Sequence, residues 1–316
     1  MEFYPRLSQK FAMPELPEVE TMRRGILGIV GGKVKKAEPL PCPRKPIRIE
    51  PAAAELATAI QGKKVLAVDR LGKRVVVRMA GELSLVFEPR MTGLVLLADP
   101  PSQEHLRFRL DLTGCAVRSI YYWDRRGLGS VRLLSNERLA AELNSNKLGP
   151  DALVISAVEL QERLGGSSRA IKVALLDQRA VAGVGNLYAS EILHLAGIHP
   201  GRACKKLKTA DWQAIHQRLL EVLHLAIEHE GSTLSDGTYR NALNQAGGYQ
   251  NQHRVYDREG EVCRLCAREN IVRIVQAQRA TFFCPNCQRG RVLKSKPEQA
   301  KVGRNKVLRS SGKQRS

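Results

Sequence analysis

The stretch Lys63-Lys64-Val65-Leu66-Ala67-Val68-Asp69-Arg70-Leu71-Gly72-Lys73-Arg74-Val75-Val76-Val77-Arg78-Met79-Ala80-Gly81-Glu82-Leu83-Ser84-Leu85-Val86-Phe87 decides the class of fold. Its apolar residues come in short, β-branched runs, and Ala80-Gly81 falls where a hairpin would turn. The same texture continues to Leu134. It predicts strands at 65–68, 74–79, 83–87, 94–97, 106–112 and 116–122, with a second turn at Thr113-Gly114. Strands spaced this closely imply an antiparallel sandwich or barrel.

Upstream, residues 16–27 read as a helix. Val19, Met22 and Ile26 share one face, Arg23 and Arg24 lie toward the C-terminal end, and Gly31-Gly32 stops it. Immediately before it stands Met13-Pro14-Glu15-Leu16-Pro17-Glu18-Val19-Glu20-Thr21. With Met13 as the start and then removed, Pro14 would carry a free amine titrating near ~8. Such an amine attacks an electrophilic carbon, expels a leaving group and gives a Schiff base, with Glu15 placed to move protons. The competing reading is that Pro14 and Pro17 merely open a helix, where proline fits the first turn. Residues 1–12 precede Met13 in the chain as written, which makes the Pro14 nitrogen a tertiary amide with no nucleophilic lone pair. They lack the apolar core of a secretory signal. An over-called start or a cleaved extension is expected, leaving 1–12 absent from the mature protein.

Downstream of Leu134 the strand texture ends. Gly149-Pro150-Asp151 and Gly165-Gly166-Ser167-Ser168 bracket a connecting region at 135–166. Helical periodicity then runs through 170–176, 187–195 and 212–227. Cys263-Arg264-Leu265-Cys266 and Cys284-Pro285-Asn286-Cys287 follow, separated by seventeen residues. Four thiolates in two knuckles fit one tetrahedral structural zinc of ribbon type, a closed site that folds the module and leaves no position for chemistry. Arg279, near the ribbon turn, is either a solvated charge or a phosphate clamp. From 289 to 316 the chain carries ten Lys and Arg against Glu298 alone, which predicts a disordered basic tail.

The 316 residues carry a formal net charge of +20, which directs attention to polyanions and above all to nucleic acid. Seven cysteines, three of them the scattered Cys42, Cys115 and Cys204, suit a reducing cytosol rather than a disulfide scaffold. No apolar run approaches the ~18 residues of a membrane span.

Four blocks then coincide in order: Pro14-Glu15-Leu16-Pro17-Glu18, Gly183-Val184-Gly185-Asn186-Leu187-Tyr188-Ala189-Ser190-Glu191, Ala196-Gly197-Ile198-His199-Pro200, and the ribbon with Gln278-Arg279-Ala280-Thr281-Phe282. Together, over about 13–288, they resemble the formamidopyrimidine-DNA glycosylase family, also called MutM. The resemblance implies an α+β fold: an N-terminal antiparallel β-sandwich flanked by helices at 13–134, the linker 135–166, a helix-two-turns-helix DNA-binding domain at 167–260 and a zinc finger at 261–288. It implies that Pro14 is the Schiff-base nucleophile, Glu15 the proton donor, Lys73 a participant in β-elimination, and Arg279 the finger arginine of δ-elimination and phosphate contact. It gives His105 a DNA contact and places Asn186 at a glycine-rich helix start suited to a phosphate. Lys172 either reaches the same DNA strand or is a solvated lysine on an amphipathic helix.

A flipped base leaves a hole that something must fill. The resemblance places Met91 and Arg125 at two of three void-filling positions, and at the third Gly127-Leu128-Gly129 replaces the family's phenylalanine-glycine. Leu128 is the expected wedge. Where the family often carries a DNA-contacting lysine, this chain has Ser167-Ser168-Arg169, so Arg169 is the substitute. Residues 233–254, with Gly247-Gly248-Tyr249, are expected to form a mobile lesion-sensing loop. The function implied is base excision of oxidised purines from double-stranded DNA by a monomeric, zinc-containing glycosylase and AP lyase, with β,δ-elimination at the abasic site. It would work in the bacterial-type cytoplasm at the nucleoid, with no membrane partner. The alternatives are an endonuclease VIII-like enzyme for oxidised pyrimidines, and a non-catalytic DNA-binding relative if residues 1–12 are retained.

Overall fold

The computed structural model describes residues 13–142, 145 and 147–289; the expectations for residues 1–12 and 290–316 lie outside them. Nine strands form two sheets. One has the order β1 (Lys33–Pro39), β7 (Leu106–Thr113), β8 (Ser119–Asp124), β6 (Gly93–Leu96); the other has the order β2 (Arg48–Glu50), β9 (Ser130–Ser135), β5 (Leu83–Glu88), β4 (Arg74–Met79), β3 (Val65–Leu71). Every pairing is antiparallel except the short β2–β9 edge. Val75, Val77, Leu85 and Phe87 from one sheet bury against Leu94, Phe108, Leu110 and Tyr122 from the other, the interleaved core of a sandwich. The β4–β5 turn carries Gly81 at φ +84° and Glu82 at φ +56°, the left-handed pair that a tight hairpin demands.

Three strands were not evident in the sequence. β1 has a register shift between Val34 and Lys36, which breaks the alternation that would have marked it. β2 is three residues long, and β9 interrupts its apolar run with Arg132. The first helix, α1 (Leu16–Gly25), also ends before the glycine pair that was expected to stop it, and a 3-10 turn at Leu27–Ile29 intervenes. Gly25, the last residue of α1, leaves room for Ala242, whose Cβ would lie 2.3 Å from any Cβ added there.

α2 (Ala53–Ile60) covers the sandwich edge through Leu56 and Ile60. α3 (Asn136–Glu142) and α4 (Ala157–Leu164) occupy the segment read as connecting. α4 buries Leu160 and Leu164 in the helical core, but Val158 on its other face and nearby Val154 are exposed, which blurs its helical period in the sequence. α5 (Ile171–Leu175), α6 (Asn186–Leu195) and α7 (Thr209–Glu228) complete that core around Trp212, Tyr188 and Tyr249. The zinc-finger hairpin is β10 (Val272–Gln276) against β11 (Arg279–Phe283). No described helix is long and apolar enough to cross a membrane.

α1 belongs to both cores. Leu16 packs with the helical domain, whereas Val19, Met22 and Ile26 pack with the sandwich. Arg70 cements the same junction, reaching Glu20 of α1 at 3.2 Å and forking onto Asp151. Pro14 and Glu15 are therefore fixed where the two domains meet.

Candidate active site

The start of α1 faces a cavity of about 400 Å³ whose lining includes Pro14, Glu15, Met91, Asn186 and Arg279. Residues from both domains and the finger thus meet in one place. The glycines before α6 make this possible. Gly183, at φ +106°, lets its carbonyl accept from the Leu16 amide at 3.1 Å. A Cβ on Gly185 would stand 2.1 Å from Glu15 Cδ, so only glycine leaves room for the carboxyl. Glu15 Oε1 accepts the Leu187 amide at 3.0 Å, making it a cap supplied from outside to the N-terminus of α6. Its Oε2 has no hydrogen-bond partner among the described residues.

Burial dominates the titration of Glu15. It raises the carboxyl to about 7 with help from Glu18, against the lowering effect of Lys73 and the α6 amides. At neutral pH this carboxyl therefore holds a proton for a substantial part of the time. Lys73, in the β3–β4 turn after Gly72, is lowered by desolvation and by Arg279, with Glu15 and Glu18 opposing. The acid and the amine are thereby brought toward each other in proton affinity, as general acid–base chemistry near neutral pH requires.

Arg279 opens β11 directly after Ala277 and Gln278, which both have positive φ and form a two-residue hairpin turn. This turn projects the exposed Arg279 into the cavity lining. Lys172 is not the solvated lysine that an amphipathic helix would present. Its side chain is 1 % exposed, and its ammonium donates to Asn186 Oδ1 at 2.7 Å, the Ala280 carbonyl at 2.9 Å and Thr281 Oγ1 at 2.7 Å. Asn186 Nδ2 adds a bond to the same Ala280 carbonyl at 3.0 Å. Lys172 is thus a strut tying the finger hairpin to the start of α6, and burial lowers it to about 7.

Of the other expected DNA contacts, only Met91 lines this cavity. Arg125 is exposed, and Leu128 is 39 % exposed and borders a neighbouring groove. His105 is 9 % exposed, lies edge-on to Trp123 at 5.5 Å, and has Nε2 at 3.0 Å from Glu104. Arg169 lies away from the cavity, bonded to Asp177 at 3.0 Å and Ser167 at 3.2 Å. In the segment expected to be a mobile loop, Gly247 serves close packing, since a Cβ there would meet the Gly231 carbonyl at 2.4 Å, and Tyr249 is fully buried.

Glu18 stands in the Pro14–Glu18 motif, yet its neighbours in sequence disclose no role for it. It is buried, and its carboxylate accepts from Tyr188 at 2.5 Å, the Ser232 amide at 2.9 Å and the Glu15 amide at 2.9 Å. Burial raises its proton affinity. Nothing in the local sequence around Ser232 signals that its amide closes this junction.

The four finger cysteines converge, with all Sγ atoms within 4.8 Å of one another. Cys263–Cys287 and Cys266–Cys284 separate by 3.8 and 3.7 Å. A tetrahedron with metal–sulfur arms of ~2.3 Å has edges of about 3.8 Å, so the donor set fits a single four-thiolate ion.

The chain matches three family models: the N-terminal domain of formamidopyrimidine-DNA glycosylase over 13–131, the helix-two-turns-helix domain of the same enzymes over 148–238, and the zinc finger found in these glycosylases and isoleucyl-tRNA synthetase over 260–290. It is 38 % identical to the formamidopyrimidine-DNA glycosylase of Chloroflexus aurantiacus over 279 residues, covering 87 % of this chain and 98 % of that one. The Thermus thermophilus enzyme is likewise 38 % identical over 281 residues, with the same coverage of both chains. Among solved structures, the Lactococcus lactis enzyme in complex with DNA containing an abasic site aligns with a TM-score of 0.77 at 32 % identity, over 87 % of this chain and all of that one. The Thermus thermophilus MutM crystal structure aligns with a TM-score of 0.75 at 37 % identity, over 87 % and 98 %. The chain belongs to the formamidopyrimidine-DNA glycosylase family, whose members are DNA glycosylases and AP lyases.

Proposed function

We propose that this enzyme removes oxidised purines, 8-oxoguanine and formamidopyrimidines, from double-stranded DNA through the amine of Pro14, and then opens the abasic strand by β,δ-elimination. The reading requires a mature chain that begins at Pro14, because only there is the ring nitrogen a secondary amine. Its lone pair bonds to sugar C1′ as the bond from C1′ to the base breaks; the base leaves with that electron pair and takes up the proton that the new ammonium sheds. Opening of C1′–O4′ then gives the iminium, and Glu15 supplies the proton to O4′. The observation that carries the reading is the placement of Glu15: a buried carboxyl, raised to about 7, beside Pro14 and with one oxygen facing no protein donor among the described residues.

Once the iminium exists, loss of a C2′ proton expels the 3′ phosphate. A second proton loss at C4′ expels the 5′ phosphate. Lys73, lowered in proton affinity, is the base proposed for the first step, and Arg279 is the cation that steadies the departing phosphate. Met91, Arg125 and Leu128 are the proposed fillers of the vacated stack. Zinc is the ion proposed for the four cysteines; it holds the finger's shape, and every proton above moves on the chain's own residues.

Single-turnover excision tests this directly, using duplexes with 8-oxoguanine opposite cytosine and, separately, thymine glycol. Faster release of 8-oxoguanine supports the purine reading. Preference for thymine glycol overturns it in favour of an oxidised-pyrimidine enzyme, a substrate class present in one Lactococcus lactis complex.

A further inference from the structure

A second cavity, of about 260 Å³, is bordered by Leu128 and takes no part in the chemistry above. Arg48, Arg74, Arg90, Arg132 and Lys147 line it, against two carboxylates, Glu88 and Glu142. The anionic side is already engaged. Glu142 accepts both Arg132 nitrogens at 2.8 and 3.1 Å, Glu88 takes Arg90 at 2.9 Å, and Arg74 stands 3.8 Å from each. Even counting Glu50, which pairs with Arg48 at 2.6 Å, the five cations exceed the three carboxylates by two.

The groove is coupled to the active site by the chain itself. Arg90 lines the groove while its neighbour Met91 lines the catalytic cavity. Arg126 lines the cavity while Leu128 and Gly129 line the groove. Arg74 lines the groove directly after Lys73, which interacts with Glu15. Segments 90–91 and 126–129 thus form a wall shared by the two cavities, and they carry the proposed wedges Met91 and Leu128.

We infer that this arginine groove holds phosphodiesters of the duplex flank just beyond the wedge, so that one wall both fills the vacated stack and clamps the adjoining backbone. The inference rests on the DNA-repair reading. Arg132, held by Glu142, is the preorganised floor, and the exposed Arg48 and Arg90 are the adaptable contacts.

The test measures affinity against salt for duplexes carrying a tetrahydrofuran abasic analogue, with long arms on both sides or with either arm cut short. The comparison is wild type against the double variant Arg48→Ala/Arg90→Ala. Each phosphate contact contributes about 0.9 to the slope of log K on log salt, so the variant's slope should be shallower by about 1.8. Between about 50 and 200 mM salt, wild-type affinity should then fall about 12-fold more than the variant's on the long duplex. With the arm that reaches the groove removed, the two proteins should coincide. Equal slopes on the long duplex overturn the inference, as does a loss that is the same on all three duplexes. Inorganic phosphate is the control for a free-anion site. If it binds the groove while duplex length has no effect, the flank assignment is wrong. Borohydride trapping by the Pro14-initiated protein on an 8-oxoguanine duplex is read in parallel, because the tetrahydrofuran analogue has no leaving group at C1′: absence of an adduct there defeats the excision reading, while the salt slopes still decide the groove.

Discussion

Replacing Glu15 by glutamine should stabilise the protein while abolishing iminium formation and the strand cleavage that follows it, and the gain in stability should depend on pH. The folded carboxyl is raised from 4.5 to about 7, because burial penalises its ionised form. Below pH 4.5 the carboxyl is protonated in both folded and unfolded chains, and the glutamine variant gains nothing. As pH rises from 4.5 to 7 the unfolded chain ionises freely while the folded one resists, so wild-type stability is lost across that window. Above 7 the penalty levels off. A shift of this size corresponds to about 3 kcal/mol, and at roughly 2 °C per kcal/mol for a chain of this size, a Tm difference of about 6 °C. Glutamine keeps an acceptor for the Leu187 amide, so the cap on α6 survives. Melting curves of both proteins from pH 4.5 to 8.5 make the measurement, since contributions common to both cancel. A variant that is equally or less stable across the whole range would refute the argument that Glu15 is held protonated by burial.

Gly185→Ala should mimic loss of Glu15 without substituting it, because the added Cβ overlaps Glu15 Cδ; single-turnover strand cleavage should collapse while circular dichroism stays native. Leu128→Gly should slow excision from paired 8-oxoguanine by at most the ~1–3 kcal/mol of a stacked contact, yet leave cleavage of a preformed abasic site unchanged; equal losses on both would make Leu128 a structural residue. Cys284→Ser, or metal removal, should abolish DNA binding without melting the sandwich, because the finger's own buried core is only Val255, Cys263, Ile271, Phe282 and Cys284 and depends on the ion for its folding energy.

Local patterns revealed more than junctions did. The valine-rich runs of β4 and β5 and the paired cysteines declare themselves because each depends on residues close in sequence. The cap that Glu15 places on α6 joins residues 172 positions apart, and no periodicity records it. Lys172 shows the same limit. A lysine on a short helix reads as solvated or DNA-facing, and only the docking of the finger turns it into a buried strut between Asn186 and Thr281. Gly247 and Gly248 looked mobile by composition, whereas the backbone of Gly231 lies where a side chain on Gly247 would go. The short edge strand β2 and the bulged β1 escaped because edges tolerate broken alternation.

The central claim is that the nitrogen of Pro14 becomes covalently bonded to the sugar. Borohydride trapping on 8-oxoguanine duplex, comparing protein whose first residue is Pro14 with protein retaining residues 1–13, tests it most directly. The account predicts a stable protein–DNA adduct, mapped by mass spectrometry to Pro14, from the first protein only. Equal trapping by the extended chain, or an adduct on Lys73 or Lys172 in the Pro14-initiated protein, would contradict it.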